Sequence, residues 1–128
     1  MLHHDRIKSF VQQTLGCGCS EEVFQSIERR DAVRLTKNTV VTTALTIGKR
    51  LLVYVVGSLS NKDVQQQMDI LLTAGKGERD SRGLNRFRLV VFTDDSAAEK
   101  QLGDLFELLR GTDEKAHLHV LGTEKNIF

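Results

Sequence analysis

The only two cysteines of the chain lie in one short segment, Gly16-Cys17-Gly18-Cys19-Ser20. Three interpretations fit this spacing. As a disulfide, the pair would close a small, strained ring that is easily reduced, as in a redox protein. As thiolates, Cys17 and Cys19 would bind a soft metal such as zinc. As ordinary side chains, they would be small buried residues in a tight turn between two helices.

Two histidines could supply the further ligands that a zinc site needs. His117 and His119 alternate within a predicted strand, so both imidazoles lie on one face of it. Two thiolates and two imidazoles would complete a tetrahedral site. The alternative is that both histidines lie on a solvated or edge-strand face. Zinc or another thiophilic metal is therefore the one cofactor that the sequence suggests.

Hydroxyl and carboxylate side chains follow three predicted strands, as Ser58, as the pair Asp94 and Asp95, and as Glu124. In open α/β sheets, ligands bind beyond the carboxyl ends of the parallel strands. These residues could hold Mg²⁺ or a phosphate group there. The alternative is that the aspartates and Ser96 only cap the following helix. The sequence carries no Walker loop, dinucleotide fingerprint or HExxH motif.

A basic segment, Lys76–Arg88, begins with a predicted loop, Lys76–Asn85, because Gly75 is expected to end the helix before it. Its candidate residues for an anion or an acidic partner are Lys76, Arg79, Arg82 and Arg86. The segment Asp94–Glu114 is instead acidic, with seven carboxylates against Lys100 and Arg110. Opposite charges on two sides favour self-association or docking to a charged protein. The alternative is a solvated charged surface.

The composition limits the class of protein. The chain has 128 residues, 40% of them hydrophobic and 27% charged, which is typical of one soluble folded domain over residues 1–128. A net charge of +1 argues against disorder and against a dedicated nucleic-acid binder. The longest apolar run, Leu51–Val56, is six residues, far below the ~18 that a membrane span needs. Because the N-terminus also lacks an apolar signal core, we expect a cytoplasmic protein.

Hydrophobic periodicity and turn residues predict eight elements. Gly48-Lys49 is expected to form a two-residue type II′ hairpin turn, with Leu45 opposite Leu52. The segment from Arg29 to Lys37 is interpreted as a charged connector that could include a short edge strand. The predicted elements are helices over Leu2–Leu15, after Ser20, over Lys62–Ala74 and over Ala97–Arg110, and strands over Thr39–Ile47, Leu51–Val56, Phe87–Phe92 and Ala116–Leu121.

The order of these elements predicts an α/β (or α+β) fold. One antiparallel hairpin is followed by a parallel βαβαβ unit, because strands joined through helices run parallel. The expected result is a mixed four-stranded sheet flanked by helices, with two helices at the N-terminus.

Three functions are compatible with these features. The first is a non-catalytic binding or assembly domain that acts on a protein partner or a second copy of itself through its charged surface. The second is a thiol protein that uses Cys17 and Cys19 in redox exchange or metal binding. The third is a small enzyme with its site at the carboxyl edge around Asp94.

Overall fold

The structure, a computed structural model, describes residues 4–16, 20–57 and 59–128. Its strands form one sheet in the order β1-β2-β3-β4-β5, in which β1, β2 and β3 pair antiparallel and β3, β4 and β5 pair parallel. The expected mixed sheet, with its hairpin and parallel βαβαβ unit, is confirmed, but it has five strands rather than four. The elements are α1 (His4–Ser9), a π-helical turn (Phe10–Thr14), a 3₁₀ turn (Glu21–Gln25), β1 (Ile27–Thr36), β2 (Thr39–Ile47), β3 (Leu51–Val56), α2 (Asn61–Ser81), β4 (Arg86–Phe92), α3 (Ala98–Arg110), β5 (Ala116–Leu121) and a 3₁₀ turn (Thr123–Lys125).

The central strand β3 is covered on both faces, as its uninterrupted apolar run predicts. All six of its residues are buried. Leu52, Tyr54 and Val56 pack against α2 and α3. Val53 and Val55 pack against the N-terminal helical segment and the C-terminal tail. Two helices therefore share one side of the sheet, and the two chain ends share the other.

The fifth strand, β1, corrects the prediction of a charged connector. It runs for ten residues, and its backbone pairs with β2 from Ile27 opposite Ile47 to Thr36 opposite Thr39. Only Val33 and Leu35 pack against the core on the α2 side. Main-chain hydrogen bonds hold this strand, whose side chains are half of them exposed and half only partly buried, so hydrophobic alternation does not reveal it.

The N-terminal region contains one helix rather than two. The first helix widens into a π-helical turn, in which the Leu15 N–H donates to the Phe10 carbonyl at 3.0 Å. The predicted second helix is a single 3₁₀ turn, Glu21–Gln25. It ends there because Ile27 already pairs with β2 as the first residue of β1.

The hairpin between β2 and β3 also differs from the expected type. Gly48 and Lys49 both have positive φ, as in a type I′ turn. Arg50 follows the turn and is not paired with any residue of β2. The pairing is therefore shifted by one residue, so Leu45 lies opposite Val53 instead of Leu52. Gly48 lies against the backbone of Val23, where a Cβ would come within 2.5 Å of it.

Helix α2 is longer than predicted, and it absorbs most of the predicted basic loop. Gly75 does not end the helix but lies in its interior. A Cβ at Gly75 would lie 2.2 Å from the Phe87 ring, so glycine is needed there for close packing against β4.

Candidate anion-binding site

Two of the four residues in the predicted basic patch lie on α2, a third, Arg82, is its C-cap, and all three are paired with acids. Arg79, only 6% exposed, donates two hydrogen bonds to the Asp113 carboxylate, at 3.0 and 2.8 Å. Asp113 also lies 3.8 Å from the Lys76 ammonium. Arg82 donates to Glu78 at 2.8 Å. These cations join α2 to its surroundings, so their charges are already balanced.

The carboxylates at the carboxyl ends of the parallel strands hold loops together. Asp94 accepts hydrogen bonds from the N–H and the hydroxyl of Thr123, at 3.0 and 2.5 Å. Asp95 accepts from the Ala97 N–H at 2.9 Å and from the Asn61 amide at 3.1 Å. The N-cap of α3 is Ala97, which makes no side-chain capping bond, so the capping box expected at Ser96 does not form and Asp95 instead holds the turn before the helix.

In the part of the chain that the structure describes, the carboxyl edge has no point at which successive helical connections pass to opposite faces. The crevice that ligands occupy in open α/β sheets forms at such a point. Here α2 and α3 lie on the same face and contact each other. Glu124 instead borders a separate groove of about 400 Å³ beside Asp5 and Phe10 of the N-terminal segment. The role of Asp94, Asp95 and Glu124 as a ligand edge stays a prediction.

Three further candidates, Cys17, Cys19 and Ser58, lie outside the described residues. Within residues 4–16, 20–57 and 59–128, no three His, Cys, Asp or Glu side chains come together as metal ligands would. The redox and metal-binding interpretations of the cysteine pair therefore stay predictions.

On the face of β4 and β5, two arginines lie together without a salt bridge to any described carboxylate. We call Arg86, Arg88, His117 and His119 the Arg–His face. The parallel register puts Arg88 beside His117, and each arginine reaches diagonally to one histidine. Arg86 Nη1 lies 3.1 Å from His117 Nε2, and Arg88 Nη1 lies 2.8 Å from His119 Nε2. Two arginines and two imidazoles thus form a repeated pair on neighbouring strands.

Arg88 is the central group of this face. Its Nη1 also donates to the Leu15 carbonyl at 3.2 Å, at the end of the N-terminal helical segment. Its Nε is buried with no hydrogen-bond partner, and no described side chain forms a salt bridge with it. Burial, followed by the charge of Arg86, lowers the pKa of Arg88. The guanidinium still carries its charge at neutral pH, so it is a fixed cation with donors to spare.

The two histidines are neutral at pH 7, and their tautomer follows from their neighbours. Burial, then Arg88 and His117, lowers the pKa of His119 to about 4. Burial, then Arg88 and Arg86, also lowers the pKa of His117. Because a guanidinium can only donate, each Nε2 is an acceptor and each proton is on Nδ1. The face therefore offers N–H donors, and beside two guanidiniums it favours an anion over a metal cation.

A groove of about 430 Å³ runs between the outer side of β5 and α3, and Arg88, His117 and His119 lie along it. Helix α3 lines the same groove with three carboxylates, Glu99, Asp104 and Glu107, which we call the acidic rim, and with Arg110. Asp104 forms an exposed ion pair with Lys100, and Glu107 forms one with Arg110. An approaching group can therefore reach part of the Arg–His face from solvent.

Three members of the Arg–His face are candidates from the sequence, but they were assigned to two different sites. Arg86 was expected in a basic loop and the histidines in a metal site. The missing information was that β4 and β5 are neighbours in register. Aligning the first residues of the two predicted strands, Phe87 and Ala116, would have brought Arg88 beside His117.

Comparisons with protein-family models, with curated proteins and with solved structures found no match. Among the described residues, no helix has the length and the apolar character that crossing a membrane requires. The cytoplasmic location stays a prediction from the sequence.

Proposed function

We propose that this chain is a non-catalytic binding domain that recognises an oxyanion, such as a carboxylate or phosphate group of its partner, through the Arg–His face. The observation that carries the proposal is Arg88. This half-buried guanidinium is held in place by Leu15 and His119 and has no carboxylate among the described residues. Its Nη2 donors are left over for a ligand, whereas its Nε is buried and out of a ligand's reach.

The energetics support an anion as the missing partner. A partly desolvated cation without a counter-charge destabilises the fold, and an oxyanion beside it offsets that cost. Hydrogen bonds between charged groups contribute about 1.5–3 kcal/mol each, which is about tenfold or more in affinity. Arg86 would add a second guanidinium, and the two imidazoles would add neutral N–H donors.

The chemistry of the face supports binding rather than turnover. Its four side chains comprise two obligate donors and two imidazoles whose Nε2 atoms are already occupied. They provide neither a nucleophile nor an unoccupied Nε2 base. Compared with the predicted basic patch, the site keeps the expected ligand chemistry but shares only one of its cations, Arg86.

Titration of the full chain with inorganic phosphate tests this proposal. The NMR signals of the His117 and His119 rings should shift saturably. Arg86→Gln and Arg88→Gln should each weaken binding about tenfold or more. Arg34→Gln is the matched control, because it removes the same charge from an exposed position on the far edge strand, β1.

The pH dependence provides a second readout. A bound anion raises the pKa of both histidines, so binding takes up protons. The affinity for sulfate, whose charge does not change over this range, should therefore rise as the pH falls from 7 to 5. Histidine ring signals whose chemical shifts do not change in millimolar phosphate would overturn the proposal. So would an Arg34→Gln variant that loses as much affinity as Arg86→Gln, because binding would then follow only net charge.

A further inference from the structure

The outer side of β5 is an open strand edge. Among the described residues, β5 is the last strand of the sheet and pairs only with β4. The carbonyls of Lys115 and Leu121 accept hydrogen bonds from β4 and the residue after it. Successive residues of a strand point their backbone groups to opposite sides, so Leu118 and Val120 point theirs outward. The Ala116 carbonyl, two residues before Leu118, follows the same alternation. It accepts a hydrogen bond from the Arg110 side chain, outside the sheet, at 3.2 Å.

This edge lacks the features that normally prevent strand pairing. Its sequence, Ala116–Leu121, contains no charged residue, no proline and no bulge. The opposite edge, β1, has such features: several charged residues, a positive φ at Ala32 and an irregular register between Arg34 and Thr36. The difference indicates that β5 is an edge at which pairing is tolerated.

Charge determines which strand fits there. The Arg–His face is cationic, and the acidic rim across the groove is anionic. Two copies of this chain would pair their β5 strands antiparallel about a two-fold axis. That arrangement sets like sheet faces side by side, with the neutral rings of His117 and His119 meeting their own copies on one face and the two acidic rims lying on the other. A second copy therefore offers this edge no complementary charge. An extended peptide with acidic side chains on one face and basic side chains on the other is complementary to both sides.

We infer that β5 takes up an extended segment of a partner protein by strand addition, with alternate acidic residues on the Arg–His face and the intervening basic residues on the acidic rim. Main-chain hydrogen bonds to Leu118 and Val120 supply the pairing, and the alternating charges supply the selectivity. The six residues of β5 accommodate about 20 Å of peptide, or about six residues. This inference rests on the proposed anion recognition, since it names the molecule that carries the anion.

Two synthetic hexapeptides test the inference by fluorescence polarisation. One alternates Glu and Lys, and the other has the same composition in block order, three Glu followed by three Lys. In an extended chain, only the alternating peptide separates its charges onto two faces. We expect it to bind the wild-type chain about tenfold or more tightly than the block peptide, and to lose binding when alternate residues are N-methylated. Equal binding of both peptides would overturn the inference.

A pair of variants tests the role of the strand edge. Val120→Pro removes an outward N–H and leaves the hydrogen bonds to β4 in place, whereas Val120→Ala keeps that N–H. The proline variant should lose about tenfold in affinity for the alternating peptide, and the alanine variant should not. If the proline variant does not fold, the N-methylated peptide on the wild-type chain decides the same point.

The outcomes separate the two proposals. If the Val120→Pro variant loses the peptide while phosphate still shifts the His119 ring signals, both proposals are supported. If phosphate binds the wild-type chain but neither peptide does, strand addition is overturned and anion recognition stands. A concentration-dependent dimer that Val120→Pro abolishes would also overturn the inference, because the occupant would then be a second copy.

Discussion

Two glycines of α2 should respond in opposite directions to the same substitution. Replacing glycine by alanine inside a helix stabilises it by about 1 kcal/mol, because alanine loses less backbone entropy. At Gly77 nothing lies within 4 Å of the added Cβ, so Gly77→Ala should gain that amount. At Gly75 the added Cβ would lie 2.2 Å from the Phe87 ring. Ordinary carbon contacts are about 3.5–4.0 Å, so the ring or the helix must move by more than about 1 Å.

Phe87 cannot move freely, because it is fully buried and packs edge-on against Tyr54, with ring centroids 5.1 Å apart. Overpacking of this kind costs about 1–3 kcal/mol or more. We therefore expect Gly75→Ala to destabilise the chain despite its gain in helix propensity, and the two alanine variants to differ by about 2 kcal/mol or more.

Urea denaturation followed by circular dichroism measures both variants, and equal m-values would show that the surface exposed on unfolding is unchanged. Adding Phe87→Leu to Gly75→Ala should recover part of the loss, which a double-mutant cycle isolates. If the helix instead ended at Gly75, the Gly77→Ala substitution would fall in a loop and bring no gain. A Gly77→Ala variant with an unchanged free energy of unfolding would refute this account of α2. So would the absence of energetic coupling between residues 75 and 87.

Three further predictions concern individual polar groups. Asp113→Ala leaves the buried Arg79 guanidinium without its main partner and should cost about 3 kcal/mol in urea unfolding; a loss below about 0.5 kcal/mol would mean that the pair contributes little. Tyr54→Phe removes the hydroxyl that donates to Glu78 at 2.6 Å and should cost about 1–2 kcal/mol, measured by thermal denaturation. An unchanged melting temperature of the Tyr54→Phe variant would contradict this prediction. The pKa of His119, lowered to about 4 by burial and then by Arg88, favours the neutral ring in the folded state. Stability is therefore full above about pH 6.5 and falls toward pH 4, by about 1–2 kcal/mol for this partly exposed group. His119→Gln should remove that part of the pH dependence, and superimposable curves for the two proteins would argue against it.

Local patterns in the sequence determined much of the sheet. The β-branched runs of β2 and β3 predict strands at the observed positions, and the apolar character of β3 on both faces predicts its central place. The amphipathic period of α3 and its ending before Gly111 are equally local signals. These elements follow from side chains within a few residues of one another, so the linear sequence was enough to predict them.

Tertiary contacts determined the rest. Charged β1 is a strand because its backbone pairs with β2, and α2 passes through Gly75 because Phe87 needs the space. The Arg–His face depends on the lateral register of β4 and β5, whose paired residues are 31 apart in the chain. Side-chain periodicity shows which face a residue occupies but not which strand lies beside it. Hydrogen bonding and packing between distant segments decide that neighbour, and so the site arises only in the folded chain.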